Sequence, residues 1–371
     1  MLLNAARARM ITEAMNCSRF FSLAGWLCLA GMSLGAADVS SAGEPRAGAP
    51  VAPAYPLWDG KETVAQYARR VNLPETKTLD LGNGVSLDLV LIPAGKFIMG
   101  TSEPESPWIG GTILGIAGLL VLILAAQVLI RAVRRHRRPQ FSLLWLIVVV
   151  LILGVAEYGG FRFWRAGHEP RFSFPDFSPA HAVTLTKAFY LGKFAVTQEQ
   201  YAQVMGTNPS GFKGANLPVE SVPWDDAQAF CRKVSEKTGQ TVRLPTEAEW
   251  EFACRAGTTT AYYTEADVGQ AAWNEENSNG TTHPVGQKEP NAWGLYDMHG
   301  NVWEWCQDWY GGYEAGTATD PQGPGTGTYR VLRGGSWADC PWGCGSAIRN
   351  RSSLGSRDYI SGFRVVLAGP P

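Results

Sequence analysis

Hydrophobic and polar positions follow three rhythms along this chain. A period of two runs through Leu79 and Leu81, crosses Asn83-Gly84 and resumes over Val85–Ile92. That pattern predicts a β-hairpin within Thr78–Gly100, because Asn-Gly readily supplies the positive-φ residues of a tight turn. Ile92-Pro93-Ala94-Gly95-Lys96-Phe97-Ile98-Met99-Gly100 closes this opening sheet, and strand-like patterning returns at Val183-Thr184-Leu185 and Phe189–Val196. A helical period is short over Asp59–Arg70, through Val64, Tyr67 and Ala68. It is stronger over Trp224–Thr238, where Ala227, Phe230, Cys231 and Val234 share one face between Pro223 and Gly239. Thr197 with Gln200 and Thr246 with Glu249 read as capping boxes, and Gly206 and Gly257 stand where those two helices should stop.

The third rhythm is unbroken hydrophobicity. Trp108–Ile130 carries 23 residues without a charge, about 34 Å as a helix against a hydrocarbon core of about 30 Å. Phe141–Ala156 is a second, shorter run, continued by Tyr158, Phe161, Phe163 and Trp164 as interfacial aromatics. Between them Arg131, Arg134, Arg135, His136, Arg137 and Arg138 form a basic turn that the positive-inside rule assigns to the cytoplasm. The expected organisation is therefore a transmembrane hairpin, with helices over 107–130 and 141–164 and a cytoplasmic turn over 131–140. Residues 1–37 read as a signal peptide or signal anchor, with Arg7, Arg9 and Arg19 ahead of the apolar run Phe20–Leu34. Residues 38–77 read as a flexible spacer and a short helix. The main domain is then discontinuous, 78–106 with 170–371. Both of its halves lie on one side of the bilayer only if the number of crossings is even. The expected location is a bacterial inner membrane, with the main domain periplasmic or extracellular.

Composition narrows the function classes. Lys+Arg 32 against Asp+Glu 33 leaves no basic bias, which argues against a nucleic-acid partner. Forty-two glycines and 14 tryptophans point to a loop-rich globular fold. The aromatics concentrate in Asn291–Tyr310, where Trp293, Trp303, Trp305 and Trp309 imply a hydrogen-bonded interior with few regular elements. In that stretch Asp297, Asn301, Glu304 and Asp308 supply oxygens at short spacing, suited to turn chemistry or to a hard cation such as calcium. His181, His283 and His299 have no metal-ligand spacing and read as solvated or hydrogen-bonded. Ser-His-Asp and phosphate-loop patterns do not occur at usable spacing.

Six segments together resemble the formylglycine-generating enzyme (sulfatase-modifying factor) family. They are Ile92-Pro93-Ala94-Gly95, Phe189–Thr197, Arg243-Leu244-Pro245-Thr246-Glu247-Ala248-Glu249-Trp250-Glu251, Gly300-Asn301-Val302-Trp303-Glu304-Trp305, Arg333-Gly334-Gly335-Ser336-Trp337 and Gly362-Phe363-Arg364. The resemblance implies an α+β, C-type-lectin-like fold, loop-rich and here interrupted by the hairpin. Family enzymes use copper(I) and oxygen to oxidise a sulfatase cysteine, within Cys-x-Pro-x-Arg, to formylglycine. Related proteins use non-haem iron or have no established chemistry.

By position in the family motifs, Ser336 lines the oxygen site and Trp303 flanks it. The side chains of Asp297 and Glu304, with the carbonyls of Gly300 and Val302, match a calcium site. A second calcium site would map near Asn274, Glu275, Asn277 and Asn279. The copper ligands would be Cys340 and Cys344, but family enzymes have four residues between the two cysteines. Here three intervene, with the first cysteine displaced by one position. A shifted copper pair, a disulfide and two independent buried thiols all remain open readings of Cys340 and Cys344. Cys231 and Cys254, on expected helices, read as packing residues.

The function expected from the resemblance is oxidation of a cysteine in an exported protein or peptide substrate of sulfatase type, by a protein held to the membrane through 107–164. The alternative is a non-catalytic lectin-like module whose loops around Trp303 and Trp337 bind a peptide, glycan or envelope partner.

Overall fold

The computed structural model describes residues 55–101 and 177–369. The expected signal segment 1–37, the start of the spacer and the hairpin 107–164 lie outside the described residues. Among the described residues no helix is long and apolar enough to cross a membrane.

Asn83 and Gly84 both take positive φ, 55° and 80°, and join β1 (Thr76–Gly82) to β2 (Val85–Ile92). The expected hairpin is present, with Leu79 opposite Leu87. Ahead of it α1 (Val64–Val71) begins later than the pattern suggested, because Thr63 and Gln66 form a reciprocal capping box there. β3 (Gly95–Met99) leaves the opening sheet, which corrects the expectation that it closes it. β3 instead pairs antiparallel with β4 (His181–Leu185), Gly95 opposite Leu185 and Met99 opposite His181. β3 and β4 are therefore the two strands of a β-hairpin. Just beyond them the Thr101 N–H donates to the Phe177 carbonyl at 3.0 Å, so the chain leaves and re-enters at neighbouring points.

β5 (Phe189–Gly192) pairs with β2, and the C-terminal β14 (Val366–Leu367) lies between β5 and β6 (Val242–Arg243). The result is a five-stranded sheet β1-β2-β5-β14-β6, beside a three-stranded sheet in which β4 separates β3 from β10 (Thr317–Thr319). A four-stranded sheet β12-β11-β9-β13 is built from Arg349–Ser352, Arg330–Arg333, Trp303–Trp309 and Ser361–Gly362. A two-stranded parallel pair joins β7 (Ala272–Trp273) to β8 (His299–Gly300). The aromatic stretch therefore holds a seven-residue strand, β9, where irregular backbone was expected.

Three helices pack on these sheets. α2 (Gln198–Met205) and α4 (Glu247–Arg255) start at the expected capping boxes, and α3 (Trp224–Thr238) starts at Pro223 and ends at Gly239. α2 ends at Gly206, but α4 ends one residue earlier than expected, at Ala256 with φ 44°. Tyr201 stacks on Phe230 at 5.8 Å and meets Phe363 edge-on at 6.2 Å, tying α2, α3 and the C-terminal segment into one core.

Candidate functional site

The site is assembled by buried ion pairs in which the signature segments recognise one another. All residues of α4 are buried, including Glu247, Glu249 and Glu251. Buried carboxylates need cations and hydrogen bonds, and each has them. Arg349 Nε and Nη2 reach Glu247 at 2.6 and 2.7 Å. Arg243 grips Glu249 with Nη1 and Nη2 at 2.7 and 2.6 Å. Glu251 takes Arg255 Nε at 2.9 Å and the Arg333 guanidinium. Burial alone would raise the Glu247 carboxyl, but Arg349 and then Arg333 bring it below the ordinary carboxylate value.

Arg333 also donates to the carbonyls of Ser346, Ala347 and Ile348, at 2.8 Å for Ser346. That anchors the segment after Cys344 on α4. Glu304 is the second hub. Its Oε2 accepts from Arg364 Nε and Trp250 Nε1, both at 2.6 Å, and its Oε1 accepts from Arg364 Nη2 at 2.7 Å.

The two glycines of the Arg-Gly-Gly-Ser-Trp segment have φ of 100° and 77°. A Cβ on Gly335 would lie 2.7 Å from Cys344 Sγ, so the segment must be bare there for the cysteine turn to close. Cys340 heads a 3₁₀ turn, Pro341–Cys344, and its carbonyl accepts from Gly343 N–H at 2.8 Å. Cys344 is fully buried beside Val268 and Ala272, while Cys340 is half-buried. All five described cysteines are free thiols, so the disulfide reading is set aside. Burial pushes the Cys340 thiol up and the Cys344 thiol well above its ordinary value.

His299 fixes this turn from below. Its Nδ1–H donates to the Cys344 carbonyl at 2.7 Å and its Nε2 accepts from Tyr263 N–H at 3.2 Å. A carbonyl can only accept and an amide can only donate, which sets the tautomer. Burial pushes this histidine down to about 3, so it stays neutral. His283 donates to Ser278 O at 2.8 Å and stacks on Trp273 at 3.7 Å; His181 meets Pro179 O at 3.2 Å. All three histidines are hydrogen-bonded, as the sequence suggested. Among the described residues no three His, Cys, Asp or Glu side chains converge as a metal set.

Ser336 and Trp303 do come together, and sequence reasoning missed what joins them. The Trp303 indole N–H donates to Asp339 Oδ2 at 2.8 Å, and the Ser336 hydroxyl donates to the same oxygen. Both donors are fully buried, while Asp339 is half-buried. Asp339 carried no motif of its own. The available signal was its place three residues after Ser336, where the family enzymes carry their first cysteine. Nearby, Phe212 meets Trp337 edge-on at 5.5 Å and Tyr359 at 6.4 Å, and Tyr359 is 52% exposed. This forms an aromatic surface beside the Asp339 turn.

The predicted calcium ligands divide. Asp297 Oδ2 accepts from Gly286 N–H at 2.7 Å, whereas its Oδ1 is buried with no hydrogen-bond partner among the described residues. Burial raises this carboxyl to about 6, and Glu304 adds to the effect. An orphaned buried carboxylate oxygen suits a hard cation, while Glu304, whose charge helps raise Asp297, is itself bound by Arg364 and Trp250. The second mapped site is committed to turns: Asn274 Oδ1 accepts from Glu276 N–H and Asn277 Oδ1 from Asn274 N–H, both at 2.9 Å.

Small curled sheets stitched by buried Arg–Glu pairs, with a Gly-Gly-Ser-Trp turn over an aromatic strand, define the sulfatase-modifying-factor class of α+β domain. Residues 148–368 match the family described as Sulfatase-modifying factor enzyme 1-like domain, and the chain belongs to that family. It is 35% identical over 208 residues to the Chaperone protein LppX of Paenibacillus barcinonensis, covering 42% of this chain and 71% of that protein. It is 38% identical over 159 residues to a formylglycine-generating enzyme of Streptomyces coelicolor, covering 38% of this chain and 47% of that enzyme. The chain thus spans less than half of that enzyme's length. Among solved structures, Treponema denticola variable protein 1 superposes with a TM-score of 0.57 at 27% identity, covering 80% of this chain and 100% of that one.

Proposed function

We propose that this protein is a membrane-tethered, outward-facing member of the family that holds a polypeptide partner of the cell envelope rather than oxidising a thiol. One observation carries the reading: the Asp339 carboxylate, not a sulfur, meets Ser336 and Trp303. Counted from Ser336, only Cys344 keeps its place in the family pattern, and Cys340 stands one residue beyond. Copper(I) selects soft thiolates, and a carboxylate is a hard donor. The residues present therefore do not fit the family's copper centre.

Three further points support the partner-binding reading. The Phe212, Trp337 and Tyr359 surface offers rings for a peptide to lie on. The relative spanned over most of its length is by name a chaperone. The ends of the inserted segment emerge side by side, as a membrane hairpin requires. Calcium fits the neighbouring loop, where Asp297 and Glu304 with the Gly300 and Val302 carbonyls would hold it and rigidify the aromatic strand's entry.

The oxidase reading keeps one observation of its own, two free thiols on a single 3₁₀ turn. Anaerobic copper(I) titration of the intact, detergent-solubilised chain separates the two. The native protein is expected to take up no stoichiometric copper. Asp339→Cys combined with Cys340→Ala restores the family spacing and is expected to gain one copper per chain. Native uptake of one copper with loss of two titratable thiols would sink the partner-binding reading.

A further inference from the structure

We propose that the Trp303 indole and the Ser336 hydroxyl form a carboxylate-binding subsite, and that Asp339 is its internal occupant, displaced when the partner polypeptide presents a carboxylate of its own. The inference deepens the partner-binding reading and rests on it, by naming the group the partner would supply. Two donors aimed at one oxygen, Asp339 Oδ2, make the arrangement of a hole for an anionic oxygen. Both donors are fully buried, so each loses much if left without an acceptor.

The occupant differs from its hosts. Asp339 is half-exposed, whereas Trp303 and Ser336 are fully buried. Its backbone is held independently of that carboxylate: Glu275 N–H donates to the Asp339 carbonyl at 2.9 Å, and Asp339 N–H donates to the Ser336 carbonyl at 3.2 Å. Displacing the carboxylate needs rotation about the side chain's own bonds alone and leaves these backbone hydrogen bonds of the turn intact. An incoming carboxylate would find the same two hydrogen bonds, next to a turn whose Trp337 meets Phe212, which in turn meets Tyr359. A neutral acceptor would replace the internal anion less well, because hydrogen bonds to ionised oxygens are the stronger ones. That difference selects an acidic side chain or a chain terminus over ordinary backbone.

Formate serves as the probe. Full-length, detergent-solubilised Asp339→Ala is titrated with sodium formate at constant ionic strength, with chloride as the control salt, and thermal unfolding and tryptophan fluorescence are followed. The expected result is a saturable rise in Tm with formate only, absent in the native protein and weakened when Ser336→Ala is added. Peptides then separate the two sources: an amidated peptide with one internal aspartate against an aspartate-free peptide ending in a free carboxylate. A folded Asp339→Ala that ignores formate, or a native protein that responds as strongly as the variant, overturns the subsite. Should Asp339→Ala not fold without formate but fold with it, the subsite is supported. If it folds in neither condition, Asp339→Ser takes the same titration and its response decides. Partner capture is measured separately on the native chain, so loss of the partner reading and loss of the subsite give different results.

Discussion

Asp297 concentrates the physics of a buried carboxylate in one residue. It sits at φ 53°, its Oδ2 bound to Gly286 N–H and its Oδ1 with no hydrogen-bond partner among the described residues. Its carboxyl rises from 3.8 to about 6, first through burial. A folded-state value above the unfolded one means that stability is full below pH 3.8 and is lost as pH rises through about 6. At about 1.4 kcal/mol per unit the window is worth on the order of 3 kcal/mol. In chelator, the native protein should therefore lose stability from about pH 4 to 7 relative to Asp297→Asn. Calcium added above pH 7 should raise the native Tm and leave Asp297→Asn unmoved. Calorimetry across pH checks both, and an equal calcium shift in the two proteins removes this loop as the cation site. Asp297 and Glu304 stand out in the sequence because oxygens crowd there at short spacing, which suits turns or a cation, and only the family resemblance points to calcium. Asp339 does not stand out: its meaning lies in contact with Trp303, 36 positions away in the chain, and an aspartate in a turn otherwise looks like turn chemistry.

Helices were easier to read than sheets. A capping box is local, so Thr197 with Gln200 and Thr246 with Glu249 declared themselves, and both form. The stop of α4 slipped by one residue because Ala256 accepts the left-handed conformation expected of Gly257. β9 was hidden because its alternation is masked: Trp303, Glu304, Trp305 and Cys306 are all buried. Equally invisible was the role of the three α4 glutamates, whose arginine partners come from β6, β11, β12 and the end of α4 itself. Removing one partner of such a pair strands a buried charge. Arg333→Met should cost about 3–5 kcal/mol, and adding Glu251→Gln should recover part of it. Urea denaturation measures both; a single-variant loss below about 1 kcal/mol would mean that the pair does not brace the segment after Cys344.

The sequence splits the domain into two pieces that must reunite, and the β3–β4 pairing supplies that union in full register. Strand order within the sheets could not be read, since β14 joins the opening sheet from the far end of the chain and period-two patterning carries no partner information. The adjacent exits at Thr101 and Phe177 bear on topology. The proposed hairpin predicts that reporter fusions at Gln140 and after Pro371 fall on opposite sides of a membrane, by alkaline phosphatase against a cytoplasmic reporter. A shared side would remove the hairpin. The same pairing dictates a delay during synthesis. β3 leaves the ribosome well before His181, and at about 5–20 residues per second its partner follows roughly 4 to 16 s later. For that interval the nascent chain carries an open strand with Ile98 on it, so whatever shields such an edge must wait with it until the second half arrives.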